Sequence, residues 1–255
     1  MKKKIWTKDE LLLAFNLYCK LPFNKIDSRN TAVIELSSII DRTPSAVALK
    51  LVNFARFDPV LKDRNISGMI HGSKAEEEIW AEFHGDWDKS AYKSEKLLAE
   101  MKNESIEELA QMDLNSLPIE GREREAVVKT RVNQNFFRSV VLSSYGFKCC
   151  ITGIQLPELL VASHIVPWSI DKKSRMDPAN GVCLNLLHDK AFDRGLITIT
   201  TEYKIRLSKL VVKSMEQKVQ EKFFLPYEGV LIHMPHRFLP NRTYLKYHNE
   251  KIFRN

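Results

Sequence analysis

The sequence predicts an α+β protein, with a helical N-terminal region and a C-terminal domain that mixes short strands with helices. Apolar residues recur at helical spacing over much of the first half, whereas short strand-like runs appear after about residue 148. The length of 255 residues allows one large domain or two modest ones. We expect a helical domain over residues 1–90, a helical connector over 91–120 and the mixed domain over 121–255.

The composition indicates a folded protein of a reducing compartment. Hydrophobic residues make up 44% of the chain, which is enough for a packed core. No apolar run approaches the ~18 residues of a membrane span, and no signal-type apolar segment follows the basic residues 1–4. The four cysteines are irregularly spaced and do not suggest a disulfide framework. These features predict a cytoplasmic protein without a membrane partner.

The net charge of +7 favours a polyanionic partner. Lysine and arginine neutralise phosphates and release condensed counterions, whatever the base sequence. A soluble basic protein with no nucleic-acid partner has the same composition. Charge therefore supports DNA as the partner without establishing it.

Three helices are expected near the N-terminus. Thr7 and Glu10 form a capping box that starts the first helix, and the second covers about residues 32–40. Thr43 and Pro44 are typical of an N-cap and a first helical position. Apolar residues at helical spacing then follow in the first and third helices: Leu11, Leu12, Phe15, Tyr18, Val47, Leu51 and Phe54.

The segment at residues 41–50, after a helix started by Trp6 and Thr7, resembles the end of a Myb/SANT-type three-helix unit. That resemblance implies a third helix that reads DNA. The alternative is an ordinary helical packing domain. The N-terminal domain is therefore expected to serve in target recognition, in partner contacts or only in packing.

A further helix is expected after residue 121, with one apolar face and many basic residues. A capping box at Ser105 and Glu108 belongs to the charged helical region before it. The basic side chains of the later helix form either a solvated face or a phosphate-contacting surface. We take the second interpretation for four candidate nucleic-acid-binding residues: Arg122, Arg124, Arg131 and Arg138.

The chemically distinctive part of the chain lies between about residues 149 and 199. Residues 150–153 and 159–166 are strand-like and predict a hairpin that ends near His164. A polar loop leads to Asn180, and a helix is expected from about residue 182 to 192. That helix carries or adjoins three candidate ligands and ends before a glycine: His188, Asp189, Asp193 and Gly195.

A histidine on a strand, an asparagine in a loop and a histidine on a helix suit phosphodiester hydrolysis. His164, held on a strand, can take a proton from the attacking water. Asn180 can fix the imidazole tautomer by a hydrogen bond to the ring. A divalent ion held by the helix can stabilise charge on the phosphate and the leaving oxygen.

Residues 162–168, 177–181 and 188–195 resemble the HNH endonuclease family, in particular its restriction-endonuclease-like branch. Flanking segments around 121–138 and 245–253 also resemble that branch, so the likeness covers roughly the last half of the chain. The resemblance implies a C-terminal HNH nuclease domain with the ββα-metal fold. It also implies catalytic roles for His164 as general base, Asn180 as its orienting partner and His188 as the third residue and a metal ligand.

The metal ligands stay open at this stage. Many HNH enzymes have Asp or His immediately before the base, where this chain has Ser163, a poor ligand for a hard cation. We prefer His188 with Asp193, keep Asp189 with Asp193 as the alternative, and take Asp177 as an outside candidate. Mg²⁺ is the expected ion, with Mn²⁺, Ni²⁺ or Zn²⁺ also compatible. The cysteines do not form a zinc knuckle, so no structural zinc is expected.

The sequence thus predicts a metal-dependent HNH endonuclease that hydrolyses DNA in restriction or anti-phage defence. Because each chain offers one site, a homodimer would suit cleavage of both strands, and a defence-system protein is a further expected partner. Two alternatives remain. One is a catalytically inactive HNH-like DNA-binding regulator, and the other is a nuclease acting on RNA or branched nucleic acid.

Overall fold

The computed structural model describes residues 5–64 and 73–255, and its helices and small antiparallel sheets confirm the α+β class. The chain forms two compact units, Met1–Ser143 and Ser144–Asn255. The domain boundaries expected at residues 90 and 120 stay a prediction. The helix that begins at Gly121 lies almost wholly in the first unit, where Val128 and Val132 pack with Leu117.

The described part of the first unit consists of helices joined by loops and contains no strand. Its helices are α1 Lys8–Lys20, α2 Thr31–Ile39, α3 Pro44–Phe54, α4 Pro59–Asp63, α5 Lys74–Gly85, α6 Trp87–Lys102, α7 Ile106–Leu109 and α8 Gly121–Ser144. Within residues 5–64 and 73–255, no helix is both long and apolar enough to span a bilayer.

Local signals in the sequence set the starts of the first helices. Thr7 and Glu10 form the predicted capping box, and Asn30 caps α2 by accepting from the N–H of Ala32. Thr43 accepts from the third residue of α3, which begins at Pro44 as predicted. Interactions between near neighbours along the chain dominate at helix ends, so these boundaries were predicted within about one residue.

Aromatic packing holds the first unit together. The Phe15 ring lies 4.6 Å from Phe83 and 4.9 Å from Phe54, measured between ring centroids, and all three side chains are fully buried. Helix α3 contributes Val47, Leu51 and Phe54 to this unit's core. The apolar spacing read from the sequence therefore marks the buried face of α3.

The one basic residue of α3 is engaged within its own unit. Lys50 pairs with the buried Glu76, and its ammonium group also lies over the Trp6 ring at 5.1 Å. A helix that reads DNA needs side chains free to reach phosphates or base edges. The placement of Lys50 therefore favours a packing role for α3, and the recognition role of the N-terminal domain stays a prediction.

The second unit contains two small sheets and several short helices. Its elements are β1 Leu160–His164, β2 Gly181–Asn185, α9 Leu186–Asp193, β3 Ile197–Ile199, β4 Ile205–Leu207, α10 Lys209–Ser214, α11 Gln217–Phe223 and α12 Arg242–Lys251. Strand β1 pairs antiparallel with β2, with His164 opposite Gly181, and β3 pairs antiparallel with β4. Strands β1 and β2 followed by α9 form a ββα arrangement.

The predicted partner of β1 and the predicted start of the following helix were wrong. Residues 150–153 form a turn, and β1 pairs instead with β2, across the loop at residues 165–180. Val182, Cys183 and Leu184 are fully buried in β2, and the helix starts at Leu186, capped by Asn185. A short apolar run buried on all sides fits a strand or a helix, so its periodicity does not decide between them.

The last helix packs beside the turn that follows α9. His248 of α12 stacks on Phe192 with 3.8 Å between ring centroids and hydrogen-bonds to Thr198 at 2.7 Å. Burial lowers the pKa of His248 to about 4, which keeps the ring neutral. The N–H of Arg254 donates to the carbonyl of Gly195, so the C-terminal end of the chain is fixed to this turn.

Replacing Gly195 with alanine should destabilise the second unit by about 3 kcal/mol or more. Gly195 has φ +67°, and a Cβ there would lie 2.0 Å from the Ile252 carbonyl oxygen. Gly229→Ala is the matched control, because Gly229 also has positive φ (+72°) but open space around it, so about 1 kcal/mol is expected. Urea unfolding of the two variants would measure the difference, and equal losses would contradict the clash.

Candidate active site

The end of β1, the loop after it and helix α9 line an open cleft of about 520 Å³ in the second unit. His164 and Trp168 line one part of the cleft, and Asp189 and Asp193 line another. The two aspartates are four residues apart on α9, so their side chains project from the same face of the helix. A candidate base and two carboxylates therefore open onto one space.

The hydrogen bond of His164 determines which ring nitrogen is basic. Its Nε2 lies 2.9 Å from the Arg175 carbonyl oxygen. Because a carbonyl oxygen only accepts, Nε2 must carry the proton, and in the neutral ring Nδ1 then holds the lone pair. Burial lowers the pKa of His164 and the Arg175 charge lowers it further, against the raising effects of this hydrogen bond and of Asp189. His164 is thus neutral and able to accept a proton at neutral pH.

Asn180 is fully buried and braces the loop between β1 and β2. Its Oδ1 accepts from the Val166 N–H at 2.8 Å, and its Nδ2 donates to the carbonyls of Val166 at 3.1 Å and Ser174 at 3.2 Å. Both amide hydrogens are thereby directed to backbone oxygens. The sequence predicted a bond from Asn180 to the imidazole. The hydrogen bonds of its amide instead fix the loop that carries the Arg175 carbonyl, which orients His164 indirectly.

The carboxylates of Asp189 and Asp193 repel one another. Burial raises the pKa of Asp193 and the negative charge of Asp189 raises it further, against the lowering effects of Lys190 and Arg194. Asp193 makes no ion pair within the described residues, so its charge is not cancelled by a close internal partner. A bound cation would relieve this repulsion.

The donor set fits a hard divalent cation. Mg²⁺ is commonly held by one or two carboxylates together with substrate phosphates and water. Among residues 5–64 and 73–255, no three His, Cys, Asp or Glu side chains come together as a metal cluster. The two carboxylates on one wall of the cleft provide oxygen ligands of the kind that Mg²⁺ and Mn²⁺ take.

Ser163 also lines the cleft, and its hydroxyl is buried with no hydrogen-bond partner within the described chain. Asp177, an outside candidate for the metal, is engaged elsewhere. It caps the short turn that follows it and accepts a 3.1 Å hydrogen bond from the Tyr244 hydroxyl.

Residues 149–200 match the family model of the HNH endonucleases. This segment is an HNH domain. It contains β1, β2 and α9 and all the cleft residues described above. No curated protein matches the chain.

In the HNH domain, His188 lies in a different pocket from His164. That pocket, of about 510 Å³, is lined mainly by apolar and aromatic side chains, Phe223 and Tyr227 among them, and also by the polar Asn185. The Nε2 of His188 lies 3.0 Å from the Phe223 carbonyl, and its Nδ1 lies 3.1 Å from the Asn185 Oδ1. The structure therefore brings together Asp189 with Asp193, whereas the preferred pair from the sequence was His188 with Asp193.

Replacing His188 with alanine should lower the melting temperature and leave the metal requirement unchanged. The side chain contacts the Phe223 carbonyl at the end of α11, and its loss removes a hydrogen bond from the buried ring and leaves a cavity. We expect a stability loss of about 2–4 kcal/mol. Metal titration of the folded variant is the measurement, and a large rise in the Mn²⁺ concentration needed would favour His188 as a ligand.

The four candidate arginines of α8 lie in the first unit and differ in their surroundings. Arg122 and Arg131 are exposed, and Arg138 is half-buried beside a polar cleft. Arg124 pairs with Glu107 at 3.0 Å and donates to the Pro118 carbonyl at 3.1 Å, so it connects α8 to the preceding segment. Arg122 and Arg131 are thus the most accessible of the four predicted nucleic-acid contacts.

Sequence reasoning missed the cations beside the cleft of the HNH domain. Lys190 and Arg194 line it and are exposed, and each follows one of the two aspartates. Their four-residue spacing placed them on one helix face and was a usable signal. Arg175 was not recognised, because a loop backbone carbonyl that orients a histidine leaves no signature in residue type.

Proposed function

We propose that the protein is a metal-dependent HNH endonuclease that hydrolyses DNA phosphodiester bonds. The observation that carries this proposal is the convergence of His164, Asp189 and Asp193 on one cleft inside the matched HNH segment. A neutral imidazole beside a pair of carboxylates is the arrangement expected of a hydrolase that activates water next to a cation.

In this proposal His164 is the general base. Its Nδ1 takes the proton of the attacking water, while the bond from Nε2 to the Arg175 carbonyl stabilises the imidazolium that forms. Asn180 contributes by fixing the loop on both sides of that bond. The cleft is open, so a nucleic-acid strand can reach the histidine without a large rearrangement.

Asp189 and Asp193 would hold the divalent cation, with Mg²⁺ or Mn²⁺ favoured by their oxygen ligands. When bound, the cation stabilises negative charge on the phosphate and on the leaving oxygen. Lys190 of the same helix and Arg194, which caps its C-terminal end, add positive charge where a phosphate backbone would lie. His188, the third residue of the sequence pattern, would stabilise α9 from the separate pocket beside Phe223.

The wider proposals rest on charge and on the resemblance to the restriction-endonuclease-like branch. A net charge of +7 suits a DNA substrate, and Arg122 and Arg131 are proposed as further phosphate contacts. A role in restriction or anti-phage defence in the cytoplasm, with a homodimer or a defence-system partner protein, follows from the same resemblance.

A second candidate function is a DNA-binding regulator without catalysis. Ser163 favours it, because a hydroxyl replaces the usual Asp or His ligand next to the base. Relaxation of supercoiled plasmid with Mg²⁺ or Mn²⁺, with and without EDTA, separates the two. The endonuclease proposal expects metal-dependent nicking that EDTA stops, and DNA binding without any nicking in either metal would support the regulator.

The substrate class is tested by competition. Labelled duplex DNA is cleaved in the presence of excess unlabelled duplex DNA, single-stranded DNA, branched DNA or RNA. The proposal expects duplex DNA to compete best. Stronger competition by RNA or branched DNA would contradict duplex DNA as the substrate and favour a nuclease acting on RNA or branched nucleic acid.

A further inference from the structure

Arg175 takes part in a row of three side chains at the edge of the cleft. Its guanidinium carbon lies 4.8 Å from the centroid of the Trp168 ring. Trp168 in turn meets His164 edge to face, with 5.5 Å between ring centroids. The backbone carbonyl of Arg175 also accepts from His164. Arg175 is therefore linked to this histidine twice, directly through its backbone and indirectly through the Trp168 ring.

The charge of Arg175 is not compensated within its own unit. Its side chain is half-buried, and within the described residues the guanidinium makes no hydrogen bond and no ion pair. Its Nε is buried with no partner. A partly dehydrated cation without a counterion is costly, and the cost falls when an anion binds to it.

The carboxylates of the same loop do not serve as that anion. Asp177 accepts from the Ala179 N–H and the Tyr244 hydroxyl. Asp171 is half-buried, accepts from the Lys173 N–H at 2.9 Å and makes no ion pair with Arg175. The counterion of Arg175 is therefore expected to come from a bound ligand.

We infer that Arg175 binds a backbone phosphate of the nucleic-acid strand that occupies the cleft, on the Trp168 side of His164. A guanidinium stacked on an indole is held flat and presents its N–H groups in a fork, a geometry that matches phosphate oxygens. Arg175 would then hold both the phosphate and the imidazole of His164. The position of the nucleic-acid strand and the orientation of His164 would therefore be coupled. This inference rests on the proposed nuclease function.

Arg175 has two roles, a backbone carbonyl that accepts from His164 and a side chain proposed to bind phosphate. Substitution separates them, because every residue at this position keeps the backbone carbonyl. Arg175→Gln removes the charge, Arg175→Lys keeps the charge without the planar fork, and Lys172→Gln removes an exposed charge from the same loop as a control. Binding of a short fluorescein-labelled DNA duplex is measured by anisotropy in EDTA over a range of salt concentrations. In EDTA the assay reports binding alone.

Arg175→Gln is expected to bind DNA about tenfold more weakly, and its log Kd against log salt slope should fall by about 1. Arg175→Lys should recover the slope and part of the affinity, and Lys172→Gln should keep parental affinity to within about threefold. The melting temperature of Arg175→Gln should not fall, since an uncompensated cation is removed. In turnover assays KM should rise more than kcat falls.

Two failures are distinguishable. If the parent binds DNA and Arg175→Gln keeps its affinity and its salt slope, the inference is overturned while the nuclease proposal stands. A drop in melting temperature with an unchanged slope would likewise show a merely structural residue and overturn it. If the parent binds neither duplex nor single-stranded DNA, the proposed function fails and the inference fails with it.

Discussion

Plasmid nicking is expected to fall on the order of 10³-fold when His164 is replaced by alanine, because general-base catalysis typically contributes 10²- to 10⁴-fold. The ring is half-buried, neutral and fixed by the Arg175 carbonyl, and no other histidine lines its cleft among the described residues. The measurement is the initial rate of plasmid relaxation at saturating Mg²⁺ or Mn²⁺.

Two further variants separate proton transfer from positioning. His164→Gln retains an N–H that can reach the Arg175 carbonyl but cannot take a proton, so it should be as inactive as the alanine variant while melting closer to the parent. His233→Ala is the control, because His233 is an exposed histidine of the same unit outside the cleft. Nicking by His164→Ala within about tenfold of the parent rate would remove His164 as the base.

The helical half of the fold was predictable because its signals are local. The Thr7 capping box and the Thr43-Pro44 start depend on residues within one turn, and the structure has both. The pairing of β1 with β2 depends instead on closing a loop over residues 165–180, and no short-range signal specifies such a partner. The buried run at residues 182–184 was therefore assigned to the wrong element.

That single error also explains the uncertainty about the metal ligands. The side chains of residues 186–193 follow the same order around the helix whether it starts at residue 182 or at residue 186. The buried neighbours differ in the two cases, and they decide which face of the helix points into the cleft. Asn185, which caps α9 through the His188 N–H, holds the His188 side chain close to itself. Asp189 and Asp193 are then left on the cleft side. The sequence identified the candidate residues, and only packing could divide them between two pockets.

Asp193→Asn is expected to raise the concentration of Mg²⁺ or Mn²⁺ that gives half-maximal nicking by about 10- to 100-fold, and Asp189→Asn should act in the same direction. Burial and the charge of Asp189 both raise the pKa of Asp193, so its ionised form is disfavoured in the folded protein without a cation. Removing that charge at neutral pH should therefore leave the metal-free melting temperature unchanged or raise it. Loss of activity without loss of stability distinguishes a ligand from a packing residue.

The decisive measurement is the rise in melting temperature on adding Mn²⁺ after dialysis against EDTA. Binding to the folded state alone stabilises it by RT ln(1 + [L]/Kd), so a ligand variant should lose most of that rise. We expect Asp189→Asn and Asp193→Asn to lose it and His188→Ala to keep it, although His188→Ala starts from a lower melting temperature. The reverse result, a shift that survives both asparagine variants and disappears with His188, would place the cation in the pocket beside Phe223 and remove the cleft as the metal site.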